Sequence, residues 1–275
     1  MERCLLSYFV LNNELKNSCE FNPDLFLNTI SVYEVIRVEQ GVPLFLQDHI
    51  NRFFNSLLFA GIKSGISEKQ IHKSIKALIE ANGMQLGLIK FIYTNQPAAG
   101  NLFAAWVMPF FFPSRQTYQT GIRIMSYNGN REKPTAKISQ QTIRKQSDKL
   151  IKENNVYEIL LINRQGFVTE GSRSNLFFVN QGILFTAHSN LVLKGVTRQK
   201  IIDLALESGI DVLESVFNLT EIADFEAAFI TGTSPKVLPV KLIDHVNYNT
   251  LHPVTQHLFK KYNSLIERYI LNFSW

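Results

Sequence analysis

The sequence predicts a mixed α/β (α+β) fold in two domains. Residues 31–38 alternate between two faces, as a half-buried strand does, with Val32, Glu34, Ile36 and Val38 on one face and Tyr33, Val35 and Arg37 on the other. Residues 46–58 repeat apolar side chains on one helical face. Two apolar runs, 157–162 and 176–179, flank a turn that is rich in glycine and serine. The 21 phenylalanines among 275 residues favour sheets with aromatic packing over a helical bundle.

Residues 1–114 are predicted to form the first domain. His49 and Arg52 are three residues apart on its first helix, so their side chains are neighbours. Ser67 and Gln70 form a capping box that starts its second helix, which ends at Asn82. The expected strands are 5–10, 25–38, 44–46, 86–94 and 102–109, and the expected helices are 46–58 and 67–82.

Residues 122–275 are predicted to form the second domain, after a linker at 115–121 that has no clear apolar period. The expected strands are 122–127, several within 157–185, and 227–231, and the expected helices are 138–154, 197–208 and 254–270. The last of these strands runs into a Gly-Thr-Ser-Pro turn at 232–235. A loop or turn at the end of a stiff strand is where proteins often place functional groups.

Composition excludes several classes of function. The net charge of +5 is modest, and acids interrupt the basic residues between Arg131 and Lys152. This pattern favours a solvated helix face over a nucleic-acid surface. The two cysteines provide neither a disulfide framework nor a zinc site. Because the sequence shows no secretory signal and no apolar run long enough to span a bilayer, we expect a cytoplasmic protein without a metal or membrane partner.

Three features suggest a phosphorylated cofactor. Glu170 is the acid of the polar turn, and Gly195 and Thr197 stand where a helix begins. Backbone N–H groups and a hydroxyl at a helix start bind anions such as phosphate. A lysine amine can link covalently to an aldehyde cofactor, and an acid can keep a pyridine nitrogen protonated. An acid, a lysine and a phosphate cradle together suggest pyridoxal 5'-phosphate.

Two segments carry a specific resemblance. Residues 168–175, Val-Thr-Glu-Gly-Ser-Arg-Ser-Asn, and residues 193–198, Leu-Lys-Gly-Val-Thr-Arg, resemble the class IV aminotransferases. This family includes branched-chain and D-amino-acid aminotransferases and aminodeoxychorismate lyase. The resemblance implies a two-domain fold type IV enzyme, with the cofactor in the cleft between the domains, and a homodimer in which a neighbouring loop completes each substrate pocket.

The resemblance also implies a role for individual residues. Lys137 is the catalytic lysine, because it lies 33 residues before Glu170 and 20 before Tyr157, near the family spacing. Its rivals are Lys133, Lys145 and Lys149. Ser172 and Asn175 are expected near the cofactor, although both could simply form the turn. The other expected cofactor contacts are Glu170 at the ring nitrogen, Arg52, Val196, Thr197, Thr233 and Ser234 at the phosphate, and Leu193 on the ring face.

Departures from the family pattern bear on the substrate. Residues 140–142 are Gln-Gln-Thr where Asn and Tyr are common, so Tyr33 is the candidate for the ring oxygen. Residues 95–106 lack the Arg-x-His pair of D-amino-acid enzymes, which disfavours that specificity. Arg37 or Lys236 could bind a substrate carboxylate instead.

We therefore expect an aminotransferase that acts on a small, branched-chain-like amino acid and a 2-oxo acid. Aminodeoxychorismate lyase is the alternative within the family. A non-catalytic protein of the same fold is the alternative from another class, and the presence of both Lys137 and Glu170 disfavours it.

Overall fold

The computed structural model describes residues 2–26, 29–96, 100–129, 131, 134–139 and 141–275. The chain divides by its internal contacts into two units. The first unit comprises Met1–Phe111, Ala136–Ser139 and Ile266–Trp275, and the second comprises Phe112–Thr135 and Gln140–Leu265. The predicted boundaries at 114 and 122 stay a prediction about folding domains. The contact division differs from them because two short segments return to the first unit.

The first unit is built on an antiparallel sheet. Its described strands are β1 (Tyr8–Leu11), β2 (Glu14–Asn17), β3 (Ser31–Glu39), β4 (Val42–Pro43), β5 (Leu86–Gln96) and β6 (Gly100–Met108). They lie in the order β2-β1-β6-β5-β3-β4. The long β3–β5 ladder pairs Ser31 with Thr94 and Glu39 with Leu86. The predicted hairpin at 86–109 is confirmed in its strands, and residues 97–99 of its turn lie outside the described part of the chain.

Two helices cover one face of this sheet. They are α1 (Leu46–Ala60) and α2 (Glu68–Ala81). The predicted capping box of Ser67 and Gln70 is confirmed at the start of α2. Ile50 and Phe53 of α1 and Ile75 of α2 are fully buried in the core of this unit. Each such side chain stabilises the fold by about 1.5–3 kcal/mol relative to its exposed state.

The second unit is built on a larger sheet. Its described strands are β7 (Ile122–Asn128), β8 (Glu158–Ile162), β9 (Val168–Gly171), β10 (Asn175–Asn180), β11 (Ile183–Ala187), β12 (Val212–Ser215), β13 (Ala227–Gly232), β14 (Lys236–Ile243) and β15 (Val246–Asn247). They lie in the order β12-β11-β10-β13-β14-β7-β8-β9, and β15 pairs with β14. The mixture of parallel and antiparallel pairs confirms the predicted α+β class.

The remaining helices are α3 (Arg115–Thr120), α4 (Gln141–Asn154), α5 (Val196–Glu207) and α6 (Pro253–Asn272). Helix α3 occupies the predicted linker, and Ser114 caps it by accepting a hydrogen bond from the Thr117 N–H at 3.1 Å. An aromatic cluster on β10 fills the core of this unit, where Phe178 stacks on Phe225 at 4.6 Å between ring centroids. Offset aromatic pairs of this kind add to the free energy gained by burial.

Some predicted element bounds are wrong. The strand predicted at 31–38 is confirmed as β3, but strand structure does not extend back to Leu25, because Pro23–Phe26 forms a short 3-10 helix before which Asn22 Oδ1 accepts the Asp24 N–H at 2.9 Å. The strand expected at 44–46 is wrong because Leu46 already begins α1. The first strand lies at Tyr8–Leu11 instead of 5–10, and β2, β12 and β14 were not predicted.

The start of the helix predicted at 138–154 is also wrong. The helix begins at Gln141, and Ile138 forms an antiparallel bridge with Val32 of β3 instead. The Lys137 carbonyl and the Ser139 N–H therefore bond to the edge of β3, whereas the Lys137 N–H bonds to Ser56 Oγ of α1. This local change fixes the backbone of Lys137.

Candidate active site

Lys137 is held from two sides within the first unit. Its carbonyl accepts the Tyr33 N–H of β3 at 3.1 Å, and its own N–H donates to Ser56 Oγ of α1 at 3.1 Å. The Ser139 N–H completes the pairing by donating to the Ser31 carbonyl at 2.9 Å. The Lys137 Nζ lies 5.1 Å from the centre of the Tyr33 ring. A lysine on a backbone fixed in this way presents its amine from a constant position.

A second lysine lies on the Tyr33 ring. Lys90 of β5 is 8% exposed, and its Nζ lies 4.7 Å from the centre of that ring and ion-pairs with Glu2. The sequence analysis missed Lys90, although a single cation inside the apolar run 88–92 is a signal for a buried charge with a partner. The ammonium groups of Lys90 and Lys137 therefore both lie near the Tyr33 ring. Such contacts are cation–π interactions.

Arg52 belongs to a buried charge cluster on α1 and β3. Its Nε and Nη2 donate to the two carboxylate oxygens of Glu34 at 2.7 and 2.6 Å. His49 Nδ1 lies 2.8 Å from Glu34 Oε2. Burial alone would raise the pKa of Glu34, but the charge and hydrogen bonds of Arg52, together with His49, hold it well below its usual range. This bidentate contact fixes the plane of the guanidinium. The predicted contact of Arg52 with phosphate stays a prediction.

The buried cluster of Glu34, His49 and Arg52 should make the stability of the folded protein depend on pH. Burial lowers the pKa of His49 below its usual value of 6.5, against the opposing effect of Glu34 and with further lowering by Arg52 and Lys137. Below that value the unfolded chain binds a proton at His49 that the folded chain does not bind, so stability falls as the pH falls. Protonation of Glu34 lowers the free energy of unfolding further, but only below its unfolded pKa of 4.5.

We therefore expect a smaller acid effect in His49→Asn, whose amide still donates to Glu34 but does not titrate. Between about pH 7 and about pH 5 the melting temperature of the wild type should fall further than that of the variant. Differential scanning calorimetry at both pH values measures this difference. Parallel pH dependences in the two proteins would contradict the assignment.

Glu170 is the centre of the second unit's candidate site. It lies on β9 and is 3% exposed. Its Oε2 accepts hydrogen bonds from Asn175 Nδ2 and from the Leu193 N–H, each at 3.1 Å. Its Oε1 lies 3.2 Å from Arg131 Nη1, and Arg131 Nη2 also donates to the Ser172 carbonyl at 3.0 Å. A carboxylate that is held in this way can keep one fixed orientation toward a ring nitrogen.

Asn175 forms hydrogen bonds both to the Glu170 carboxylate and to the loop that contains Leu193. Its Nδ2 donates both to Glu170 and, at 2.8 Å, to the Leu193 carbonyl. A Cβ on Gly195 would lie 2.1 Å from Asn175 Oδ1, so the close approach of the two chains requires glycine there. Asn175 was expected near the cofactor, and the structure shows it orienting Glu170.

The start of α5 has the features of an anion site. Gly195 is the N-cap residue and has no side chain to satisfy the free N–H groups of the first turn. Val196 and Thr197 follow in that turn, and both are buried. Thr197 Oγ1 lies 3.4 Å from the hydroxyl of Tyr262 on α6. The arrangement suits a phosphate, which is the group the sequence predicts here.

The turn between β13 and β14 carries Thr233, Ser234 and Lys236. Thr233 and Ser234 are half-buried, and the carbonyl of Pro235 accepts the hydroxyl of Tyr118 at 3.0 Å. Lys236 has a left-handed backbone with φ of 53°, so its side chain leaves the turn at an angle a regular strand would not give. Its predicted role toward a substrate carboxylate stays a prediction.

Several other predicted residues have clear positions. Ser172 donates its hydroxyl to Glu158 Oε1 at 2.6 Å, so that hydrogen is committed within the protein. Arg37 is 8% exposed and pairs with Glu39. Among the rival lysines, Lys145 and Lys149 lie on exposed positions of α4, whereas Lys133 and Gln140 lie outside the described residues. Glu34, Arg131 and Glu158 are contacts that the sequence analysis missed.

The donor set fits pyridoxal phosphate. A buried oriented carboxylate suits a pyridinium N–H, an uncapped helix start with hydroxyls suits a phosphate, and a lysine amine suits an aldehyde. Over the part of the chain that the structure describes, no three His, Cys, Asp or Glu side chains group as metal ligands would. Among those same residues no helix combines the length and apolar character that crossing a membrane requires.

Comparisons with known proteins agree with this chemistry. A family model described as amino-transferase class IV matches residues 31–243. The chain is 29% identical over 227 residues to a D-alanine aminotransferase of Bacillus licheniformis, covering 78% of each. It is 24% identical over 269 residues to a branched-chain-amino-acid aminotransferase of Pseudomonas aeruginosa, covering 86% of this chain and 84% of that protein. The structure of the Escherichia coli branched-chain amino acid aminotransferase matches with a TM-score of 0.85 at 23% identity and 95% coverage of both chains.

Proposed function

Since the chain belongs to the class IV aminotransferase family, we propose that it transfers the amino group of a small, branched-chain-like amino acid to a 2-oxo acid. The family and the named relatives make the protein an aminotransferase, as the sequence motifs predicted. The choice of amino donor is the proposed part. The observation that carries the chemistry is the buried carboxylate of Glu170, which Asn175 and the Leu193 N–H orient at 3.1 Å each.

Each predicted residue has a task in this proposal. When bound, pyridoxal phosphate supplies an electron-withdrawing ring that stabilises negative charge on the substrate Cα. Glu170 keeps a proton on the ring nitrogen, and Leu193 packs on the ring face. Lys137 provides the amine that carries the proton away from Cα and returns it. The phosphate would be bound by Arg52, Val196, Thr197, Thr233 and Ser234, while Asn175 orients the Glu170 carboxylate and the Ser172 carbonyl accepts a hydrogen bond from Arg131 beside it.

The substrate side of the site rests on three polar residues. Tyr33, Arg37 and Lys236 are the proposed contacts for the ring oxygen and the substrate carboxylate. Trp106 of β6 is fully buried and stacks on Phe26 at 5.4 Å between ring centroids within the first unit, so it gives no support for an apolar wall around an aliphatic side chain. The proposal of an aliphatic donor therefore rests on the relatives and on the absence of an Arg-x-His pair in the sequence of residues 95–106.

A substrate panel tests this proposal. We expect glutamate to form when the purified protein is incubated with L-valine, L-leucine or L-isoleucine, pyridoxal phosphate and 2-oxoglutarate. D-Alanine in the same mixture tests the activity of the Bacillus licheniformis relative. Aminodeoxychorismate in a parallel tube tests the lyase alternative. Pyruvate and p-aminobenzoate in that tube, with no glutamate from any amino acid, would overturn the transaminase proposal.

We also propose that the active form is a homodimer. Closed twofold dimers are the commonest oligomers of soluble enzymes. The described part of the surface exposes large apolar side chains, among them Leu58 at 78% and Phe59 at 63% on α1. Sedimentation velocity should give a species of twice the chain mass of 31.5 kDa. A fully active species of the single chain mass would remove this part of the proposal.

A further inference from the structure

Glu158 is a buried acid that lies against the turn between β9 and β10. It is the first residue of β8 and is 3% exposed. Its carboxylate accepts hydrogen bonds from Ser172 Oγ at 2.6 Å, from the Arg173 N–H at 3.1 Å and from Ser174 Oγ at 3.0 Å. Three consecutive residues of one turn thus donate to a single buried carboxylate. A carboxylate offers about four lone-pair positions and can satisfy all of these donors.

That turn joins the two strands that carry the site. Glu170 lies two residues before Ser172 on β9, and Asn175 follows Ser174 on β10. The Ser172 N–H also donates to the Ile159 carbonyl at 2.8 Å, which fastens the backbone of the turn to β8. The turn is tightly closed, because a Cβ on Gly171 would lie 2.2 Å from Ser174 Oγ and 3.0 Å from Glu158 Cγ.

The position of Asn175 relative to Glu170 is therefore set by the Glu158 contacts. The 3.1 Å hydrogen bond from Asn175 Nδ2 to Glu170 Oε2 spans the two ends of the turn. If the turn opened, this bond would lengthen, and the carboxylate would lose one of the donors that orient it. A displacement of about 1 Å in a catalytic group can lower a rate about a hundredfold.

We propose that Glu158 is a positioning residue that orients Glu170 through the 172–174 turn. The inference rests on the proposed function, because it concerns the orientation of Glu170 toward the cofactor. The described hydrogen bonds of the Glu158 carboxylate go to Ser172, Arg173, Ser174 and the Ile159 N–H, so Glu158 acts on Glu170 through the turn. The hydroxyl of Ser172, predicted to lie at the cofactor, serves this turn in the structure.

Glu158→Gln tests the inference, because the amide keeps the size of the side chain but replaces one acceptor oxygen with a donor. We expect kcat to fall about tenfold to a hundredfold with little change in KM. The pH midpoint of the absorbance change of the bound cofactor should move in the same direction as in Glu170→Gln. In the Glu170→Gln background the added Glu158→Gln should cost less than about twofold, since coupled residues are not additive.

Matched variants separate positioning from general stability. Tyr248→Phe also removes a buried hydrogen bond, from the Tyr248 hydroxyl to the Ile222 carbonyl at 2.8 Å, but neither residue belongs to the turn, to β9 or to β10. It should keep the wild-type kcat and absorbance midpoint. If Glu158→Gln does not fold, Ser174→Ala removes one of the three donors and should lower kcat by a smaller factor with the same shift of the midpoint.

The outcomes are distinct. Wild-type kcat and midpoint in Glu158→Gln and Ser174→Ala, or a full independent loss in the Glu170→Gln background, would overturn the inference alone. A wild-type protein that binds no pyridoxal phosphate and transfers no amino group would overturn the proposed function, and the inference with it.

Discussion

Lys137→Ala is expected to lower kcat by about four orders of magnitude. Lys137 is the proposed base at the substrate Cα, and general acid–base groups contribute about 10²–10⁴-fold to rates. Loss of its covalent link to the cofactor adds to this effect. The backbone contacts of residue 137 with Tyr33 and Ser56 do not depend on the side chain, so the fold should survive.

Turnover and cofactor content are measured together in this experiment. The proposed phosphate contacts are independent of Lys137, so the variant should still retain pyridoxal phosphate through dialysis. Lys145→Ala removes an exposed lysine from α4 and is the matched control, with expected wild-type activity. Near-wild-type turnover of Lys137→Ala would show that another group abstracts the proton.

Glu170→Gln is expected to lower kcat by about 10²–10³-fold. The amide is nearly isosteric and its oxygen can still accept from Asn175 and from the Leu193 N–H, but it carries no negative charge to hold a proton on the ring nitrogen. Removing one oriented electrostatic contact from an active site typically costs a factor of this size. Arg131, which lies 3.2 Å from the carboxylate, would lose its charged partner.

Steady-state kinetics under saturating pyridoxal phosphate give this number. Glu153→Gln changes the charge equally at an exposed position of α4 and should leave kcat unchanged. The melting temperature of Glu170→Gln should fall, because Arg131 loses its partner, so kcat is compared at a temperature well below that melting temperature. An unchanged kcat in a variant with full cofactor content would remove Glu170 from the mechanism.

Periodicity in the sequence predicted the strongly patterned elements. The capping box at Ser67 and Gln70, the hairpin of β5 and β6 and the strand β13 are all where the sequence indicates. These elements depend on local chemistry, such as side-chain caps and alternation, which a single sequence displays. The motifs at 168–175 and 193–198 likewise predict the class IV aminotransferase family, and the family model that matches residues 31–243 confirms it.

Long-range pairing could not be predicted in the same way. Residues 138 and 139 read as the start of a helix, yet they pair with the edge of β3, more than 100 residues earlier in the chain. Glu34 stood on the apolar face of β3 together with Val32 and Ile36, which is a signal for a buried acid with a cation partner. The sequence does not reveal that Arg52 is that partner, because the pairing is made by the packing of α1 on the sheet.

Glu158 shows the same limit in the second unit. It lies inside the apolar run 157–162, where the sequence alone does not show which residues an acid would bond to. Its partners, the residues 172–174, are 14 to 16 positions away and meet it only because β8 and β9 pair. A buried acid of this kind becomes recognisable once the register of two strands is known.

Lys137 is proposed to hold the cofactor through its amine, and this link can be tested directly. Borohydride reduces the link between a lysine amine and the cofactor aldehyde and makes it permanent. Trypsin should then release residues 132–144 as one labelled peptide, because the bond between Lys133 and Pro134 resists cleavage and the modified Lys137 is no longer a substrate.

Fragmentation of that peptide by mass spectrometry between Pro134 and Lys137 assigns the label. We predict that the cofactor mass lies on Lys137 alone. Label on Lys133, on Lys145 or on any other lysine would contradict the assignment of Lys137 as the residue that holds the cofactor.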